Sequence, residues 1–390
     1  MKHIVMVPSW YPNNDADLSG VFFRDQGIAL QKAGYKVTVA YVETRSAAKI
    51  AGDLRSRSWK PGFYINQAQL TEYRCRIYNL LLKFPGGKEW LVYRKLKRHI
   101  RRIEKTEGPI DLIHLHSFRS HGYGTARICR RKKIPYVLTE HYSGIENRSL
   151  KPYQNRIIRL IGRTASALIA VGDGGASYLK ELTGREVSVI PNMVDVSGFN
   201  PSDYPAPGGR RIFSLGYLKY RKGFDLLINA FYSIHSEYPD VELLIGGEGA
   251  ERENLESLIE SLEHKDPSFR GKTRLYGAVS RQELPRLMAE CSLFSLASRD
   301  EAFGVVFIEA LAMGKPLVAT SNAGPRRIVN RHCGILVNNE DSEDLAKGLK
   351  HVLDHPESYD PSAIRSYCID NYSEEAVVRS LQAVYNSVIN

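Results

Sequence analysis

The strongest constraint on this chain is its repeated alternation of short apolar runs with amphipathic segments. HIVMVP (3–8) leads through the loop SWYPNNDADLSG into VFFRDQGIALQKAG (21–34), where apolar residues recur at helical spacing and Gly34 stands as a C-cap. KVTVAYV (36–42) then completes a strand–helix–strand unit. DLIHLHS (111–117), a helical stretch over 121–132 and PYVLTEHYS (135–143) repeat the pattern, and ALIAVGD (167–173) and VSVIPN (187–192) read as two further buried strands. The stretch PNMVDVSGFNPSDYPAPGG (191–209) has no helical period and is rich in Pro, Gly, Ser and Asp, so it reads as a linker. Alternation then restarts with RIFSLGYL, a helix from Phe224, VELLIGGEG, a helix from Glu251, TRLYGAV, a helix from Arg281, LFSLAS, the helix of VVFIEALAM and PLVAT.

Strands alternating with helices imply parallel sheets covered on both faces. A chain of 390 residues is too long for one ordinary domain. The reading is therefore α/β, with two doubly wound domains whose parallel sheets face an interdomain cleft where ligands bind. The first domain is placed at 1–195, the linker at 196–209 and the second domain at 210–370. A helix over 371–390 is expected to pack back on the first domain.

Charge is unevenly shared. Residues 1–200 carry 33 Lys and Arg against 16 Asp and Glu, whereas the remainder carries 21 against 27. A basic first half suits an anionic membrane surface or another polyanion. Within it, KEWLVYRKLKRHIRRIEK (88–105) is a basic amphipathic helix with Trp90, Leu91, Leu96, Ile100 and Ile103 on one face. That face suits either an anionic membrane or the domain's own sheet. Arg130, Arg131, Lys132 and Lys133 add a second basic cluster. The region 45–85 looks irregular and suits acceptor selection. No apolar run reaches the length needed to cross a bilayer, and the N-terminus is too short in apolar residues for a signal peptide, so the chain reads as cytoplasmic. Cys75, Cys129, Cys291, Cys333 and Cys368 are scattered, which argues against a disulfide framework or a cysteine zinc site.

Three stretches of the second half point to a nucleoside diphosphate. SLGYLKYRKGFDLL (214–227) sets Gly216, Gly223, Arg221 and Lys222 at a strand-to-helix junction, where a helix N-terminus attracts phosphate. LLIGGEGAERENL (243–255) runs a strand into Gly246, Gly247 and Gly249, a spacing that does not fit the dinucleotide fingerprint of a hydride-transferring enzyme. SRDEAFGVVFIEALAMGKP (298–316) sets Glu301 and Glu309 eight apart. With a helix starting near Gly304, the amides of Ala302, Phe303 and Gly304 point outward toward a phosphate, and Glu309 lies in the second turn, leaning back toward them. A carboxylate in so apolar a helix needs a partner, and a ribose diol supplies one.

These stretches, with LYGAVSRQEL and CGILV, resemble the retaining GT-B-fold glycosyltransferases of family 4 (glycosyl transferases group 1) over about 140 residues. The first half resembles them more loosely, through VPSWYPNNDADLSGVFFRDQGIAL, YVLTEHYS and VIPNMVD. The resemblance implies that Glu309 binds ribose and Glu301 lies near the donor sugar. The amides of Phe303, Gly304 and Val305 would hold sugar and phosphate, and Lys222 would neutralise the diphosphate. Gly20 would close over the phosphates, with Gly216, Arg221 and Gly247 in the donor site, Val279 against the base and His141 beside the reacting centre. Glu301, His141 and Lys222 are thus the implied catalytic set. Tyr217 departs from the family's usual arginine, leaving Lys219 or Arg221 to supply that charge. Arg327 stands where an acid is common, and Ala302 where glycine is commoner.

The expected activity is retaining transfer from a UDP- or GDP-sugar to a glycan or lipid-linked acceptor in cell-surface polysaccharide synthesis, without metal, cofactor or nucleic acid. The one D-x-D, Asp15-Ala16-Asp17, reads as a polar loop cluster. His114 and His116 share one face of a strand, as zinc ligands do, but without nearby carboxylates or thiols they read as structural or cleft-lining. The alternatives are a sugar-nucleotide 2-epimerase of similar fold and a basic membrane- or nucleic-acid-binding scaffold.

Overall fold

The computed structural model describes residues 1–13, 19–55, 62–66, 70–79, 86–205 and 208–389. It divides into two compact units, one of Met1–Pro191 with Val377–Asn390, the other of Asn192–Ala376.

The first unit is built on an eight-stranded sheet. Its strands are β1 (His3–Pro8), β2 (Lys36–Ser46), β3 (Gly62–Asn66), β4 (Thr71–Asn79), β5 (Leu112–His116), β6 (Tyr136–Glu140), β7 (Ala167–Ala170) and β8 (Ser188–Val189), in the order β3-β4-β2-β1-β5-β6-β7-β8. All neighbours pair in parallel except β3, which runs antiparallel to β4. The region read as irregular thus contains a hairpin that widens the sheet, together with a short helix at Ile50–Arg55.

Alternate residues of β1 face opposite ways, as pleating requires. Val5 and Val7 join a core with Val92, Leu96, Ile100 and Ile103 of helix Gly87–Glu107. That answers the question raised by the basic amphipathic segment. Leu96, Ile100 and Ile103 are spent on the domain core, Leu91 packs against it, and the exposed Trp90 ring lies 4.9 Å from the Arg94 guanidinium. What the helix offers outward is charge, not an apolar face.

The second unit carries six parallel strands, β9 (Arg210–Leu215), β10 (Val241–Gly246), β11 (Thr273–Gly277), β12 (Leu293–Leu296), β13 (Leu317–Thr320) and β14 (Gly334–Val337), in the order β11-β10-β9-β12-β13-β14. Chain order reverses between β9 and β12, so the loops leaving those strands diverge and open a crevice at their carboxyl ends. The segment read as a linker belongs to this unit. Asp195 accepts from the amides of Ser197 and Gly198, and Phe199 is buried. The Arg365 guanidinium binds the carbonyls of Val196, Phe199 and Ala312.

No helix among the described residues is long and apolar enough to cross a membrane. All five cysteines are buried free thiols.

Candidate functional site

The loops that leave β9 and β12 carry the charged residues singled out in the sequence. After β9 the chain makes a single turn, Tyr220–Lys222, and Gly223 at φ +65° starts helix Phe224–Ile234. A Cβ on Gly223 would stand 1.9 Å from the carbonyl oxygen of Ala297, at the end of β12, so only glycine permits this approach. Gly216 and Gly247 meet in the same way. Gly247 has φ +135°, and its Cβ would lie 1.9 Å from the Gly216 carbonyl oxygen. The Lys222 side chain runs past Gly216, where a Cβ would sit 3.5 Å from Lys222 Cε, and its ammonium donates to Glu301 Oε2. Both side chains are almost out of solvent, at 11% exposure each, so the charges depend on one another.

The Glu301 loop is tied from behind. Its carbonyl accepts from Gly324 N–H at 2.9 Å, while the Ser298 carbonyl accepts from Thr320 Oγ1 and Asn322 Nδ2. Gly304, at φ +86°, turns the chain into helix Val305–Ala312. No acceptor among the described residues takes the backbone N–H of Phe303, Gly304 or Val305. Three donors at a helix N-terminus, beside an ammonium, make an anion cradle. Glu309 is buried in that helix, and its Oε1 receives the Arg281 guanidinium at 3.3 Å. Glu309 therefore has a protein partner. Val279, two residues before Arg281, is buried against Gly246, whose Cβ would stand 2.7 Å from Val279 Cγ2.

Arg221 and Lys219 diverge. Arg221 donates to the Asp300 carbonyl at 3.2 Å, on the Glu301 side, whereas the Lys219 ammonium lies 5.2 Å from the centre of the exposed Tyr217 ring. Sequence reasoning missed Arg299, which organises both loops. Its guanidinium forks onto Asp225 at 2.8 and 2.7 Å, reaches Glu340, and donates to the Tyr220 carbonyl at 2.7 Å. Its backbone N–H holds the Arg221 carbonyl, and its guanidinium stacks 3.9 Å from the Tyr220 ring. The only signal was an arginine two residues before Glu301, and no motif set it apart.

In the first unit, Gly20 at φ +79° starts helix Val21–Lys32, and a Cβ there would collide with the Trp10 side chain at 2.9 Å. That helix presents Phe22 and Phe23 to His141, with ring centres 5.3 and 5.0 Å away. His141 follows β6 and is set by the buried Glu140 carboxylate, which accepts from the N–H groups of His141, Tyr142 and Phe118 at 2.9–3.0 Å. Burial pushes the Glu140 carboxyl above its usual range, and these hydrogen bonds pull the other way. The expectation that His114 and His116 face one way holds, with ring centres 3.9 Å apart. Both nitrogens of His114 go to protein partners, Tyr385 and Thr139, and Nδ1 of His116 goes to His141. Asp15 and Asp17 lie outside the described residues.

Of the second basic cluster, Lys132 is paired with Glu104 at 2.6 Å and Arg131 donates to the Tyr93 hydroxyl. Arg130 and Lys133 are exposed.

Known proteins resemble this chain in sequence and in fold. The family model Glycosyltransferase Family 4 matches residues 19–197, and Glycosyl transferases group 1 matches residues 200–371. A phosphatidyl-myo-inositol mannosyltransferase of Mycolicibacterium smegmatis is 27% identical, over 76% of this chain and 75% of its own. A mannosylfructose-phosphate synthase of Agrobacterium fabrum is 27% identical over 70% and 69%. Among solved structures, sucrose-phosphate synthase from Thermosynechococcus elongatus superposes with a TM-score of 0.77 at 19% identity, covering 99% of this chain and 98% of that one. Anabaena HepE in complex with UDP and glucose superposes with a TM-score of 0.73 at 17% identity, covering all of both chains. With the two family domains in tandem and a Rossmann-like sheet in each unit, the chain is a glycosyltransferase of GT-B type, a hexose-transferring enzyme built from a Family 4 domain followed by a group 1 domain.

Proposed function

We propose that the enzyme takes a sugar from a UDP- or GDP-sugar and passes it, with retention of anomeric configuration, to a glycan or lipid-linked saccharide in cell-surface polysaccharide synthesis. The observation that carries this reading is the set of three amides, at Phe303, Gly304 and Val305, that meet no acceptor among the described residues, opening beside the Lys222–Glu301 pair.

In this reading the diphosphate lies on those amides, and Lys222 turns from Glu301 to the leaving phosphate. Glu301, released, accepts from hydroxyls of the donor sugar. Arg221 and Gly216 border the diphosphate, Gly247 and Val279 the base, and Glu309 holds the ribose diol. Departure of a nucleoside diphosphate needs preorganised positive charge, which an ammonium and a helix N-terminus supply without a metal. His141 orients the sugar, and a donor phosphate oxygen takes the acceptor's proton on the same face.

The two mannosyl-named relatives support a hexose donor, and the name of the mycobacterial relative supports a lipid acceptor. UDP with glucose in HepE supports a nucleotide-linked donor. The exposed basic residues of helix Gly87–Glu107, with Arg130 and Lys133, would hold the enzyme electrostatically at an anionic cytoplasmic membrane face.

The test is thermal-shift and hydrolysis screening against UDP-, GDP- and ADP-sugars, with and without EDTA. Stabilisation and EDTA-insensitive turnover with a UDP- or GDP-sugar are expected, and NMR of the product should show a retained anomer. Stabilisation by none of the nucleotides would overturn the reading, and an inverted product would overturn its stereochemistry. Sedimentation with anionic vesicles, weakening as salt rises, checks the membrane contact.

A further inference from the structure

The first sheet has a second end, away from His116 and His141. A cavity of about 740 Å³ opens at the amino-terminal ends of β5, β6 and β7, where Asp111, Pro135 and Ser166 each stand one residue before a strand and line it. At about 3.3 Å per residue, β5 alone sets His116 roughly 13 Å away along the sheet. Three cations from separate segments also line the cavity: Arg130 of helix Gly122–Lys132, Lys133 just beyond it, and Arg163 of helix Pro152–Thr164. All three are exposed, and none has a hydrogen-bond or ion-pair partner among the described residues. Asp111, the carboxylate on the wall, is already engaged: it accepts from the His3 N–H at 2.7 Å and lies 3.9 Å from the Lys2 ammonium. Neither helix contains Asp or Glu. A cation beside a helix C-terminus ordinarily serves its carbonyls. Here Arg185 already serves the end of helix Pro152–Thr164, donating to the carbonyls of Gly162, Ala165 and Ser166 at 2.5–3.0 Å. The N–H groups of Lys133 and Ile134 close helix Gly122–Lys132 onto the Cys129 carbonyl.

We propose that this cavity is a binding site for a phosphate ester, either a free one or the head group of an anionic phospholipid. Three like charges gathered around one cavity without an anion repel one another, and a bound phosphate removes that cost. Two guanidiniums supply forked donors that match phosphate oxygens, and the ammonium supplies a compact charge. Ile110, Ile134, Val388 and Ile389 give the same cavity an apolar wall. Its volume lies within the range of small-molecule sites and far exceeds one phosphate group, so the wall takes the carbon part of the ester. Val388 ends helix Glu374–Val388, less than one turn beyond Tyr385, whose hydroxyl bonds His114 Nδ1 at 2.6 Å. A ligand here therefore steadies that helix without touching His116 or His141. The site is independent of the donor sugar and of the transfer reaction.

Calorimetric titration of the full chain with sn-glycerol 3-phosphate and with inorganic phosphate tests for a free ester. Co-sedimentation with phosphatidylcholine vesicles, with and without an equal share of phosphatidylglycerol, tests for a lipid head group. Saturable binding in one arm is expected, and the arm that responds identifies the source; silence in both overturns the proposal. Replacing the three cations together (Arg130→Gln, Lys133→Gln, Arg163→Gln) should weaken binding more than about 10-fold. Ser166→Trp, which fills the cavity at unchanged charge, should weaken it as much. Should that variant fail to fold, Val388→Trp fills the cavity from another wall. Binding that falls with the lost charges but survives a filled cavity would mean a diffuse basic surface and would overturn the proposal. Hydrogen exchange in helix Glu374–Val388 should slow when the ester binds, and unchanged exchange there would place the ligand elsewhere. Without ligand, the triple variant should melt no lower than the wild type. A lower Tm would show that the cations serve the fold itself, which also overturns the proposal.

Discussion

The two units hold their candidate site residues in opposite ways. In the second unit the site is made of charges that cancel one another: Lys222 with Glu301, Arg281 with Glu309, Arg299 with Asp225 and Glu340. In the first, β5 carries His114 and His116, held neutral by burial, among aromatic rings, and β6 ends in a buried carboxyl fed by backbone N–H groups. A nucleoside diphosphate brings its own charge, so a site for it can be built from pairs that open to exchange partners. A sugar brings none, and a neutral donor–acceptor surface suits it. The charged site is sensitive to loss of one partner, and the neutral site to acid.

The largest break in this contrast should come at Lys222. Lys222→Ala removes the proposed counter-charge of the leaving group and should lower kcat by about 100- to 1,000-fold. It also strands Glu301, costing about 3 kcal/mol on thermal or urea unfolding. The double change Lys222→Met with Glu301→Gln should recover the stability but not the turnover; recovery of turnover would remove Lys222 from the chemistry.

Gly247→Ala comes next. Its Cβ would lie 1.9 Å from the Gly216 carbonyl oxygen, a backbone atom that cannot step aside cheaply. We expect a loss of about 3 kcal/mol, and loss of nucleotide-induced stabilisation even where the variant still folds.

Acid should find the first unit. Burial lowers the pKa of His99, His114 and His121 to about 3, and that of His116 well below its ordinary value. In the unfolded chain these groups bind protons from about pH 6.5 downward. The stability they lend is therefore whole above that pH and falls as pH drops toward 3, by up to about 1.4 kcal/mol per histidine per pH unit. Glu140, with its carboxyl pushed up by burial, works in the opposite direction, but it is one group against four. Hydrogen exchange between pH 6.5 and 4 should accelerate in peptides of β5, β6 and helix Glu374–Val388. Equal or earlier acceleration across β9 and β12 would contradict the contrast.

The smallest effect is expected at Arg281. Its side chain is 30% exposed, so Arg281→Gln should cost about 1 kcal/mol in the unliganded protein. A thermal-shift titration checks whether UDP or GDP then recovers the loss by taking up Glu309.

The strand–helix alternation was legible because each buried strand is a short apolar run and most helices show their period. The hairpin of β3 and β4 was not, because TEYRCRIYN alternates Glu72, Arg74 and Arg76 with apolar neighbours, and all three of those charged side chains are buried or paired in the fold. At the site, Lys222, Glu301 and Glu309 stood out, since each interrupts an otherwise simple pattern. Arg299, Arg281 and Glu140 did not. Arg299 and Arg281 act across the sheet order, 74 and 28 residues from their partners, where local spacing carries no signal. Glu140 acts on His141 and Tyr142 beside it and on Phe118, 22 residues away, through backbone N–H groups that have no side-chain letter to read.

Val377–Asn390 belongs to the first unit, although all of the second unit is synthesised before it. At about 5–20 residues per second, a ribosome needs roughly 10–40 s to make the residues between Pro191 and Val377. During that time the nascent first domain lacks Tyr385 over His114, and Val377, Val378 and Leu381, the other buried residues of that helix, are not yet made. A ribosome stalled within the second unit would therefore release a first domain that is folded in its sheet but missing one wall.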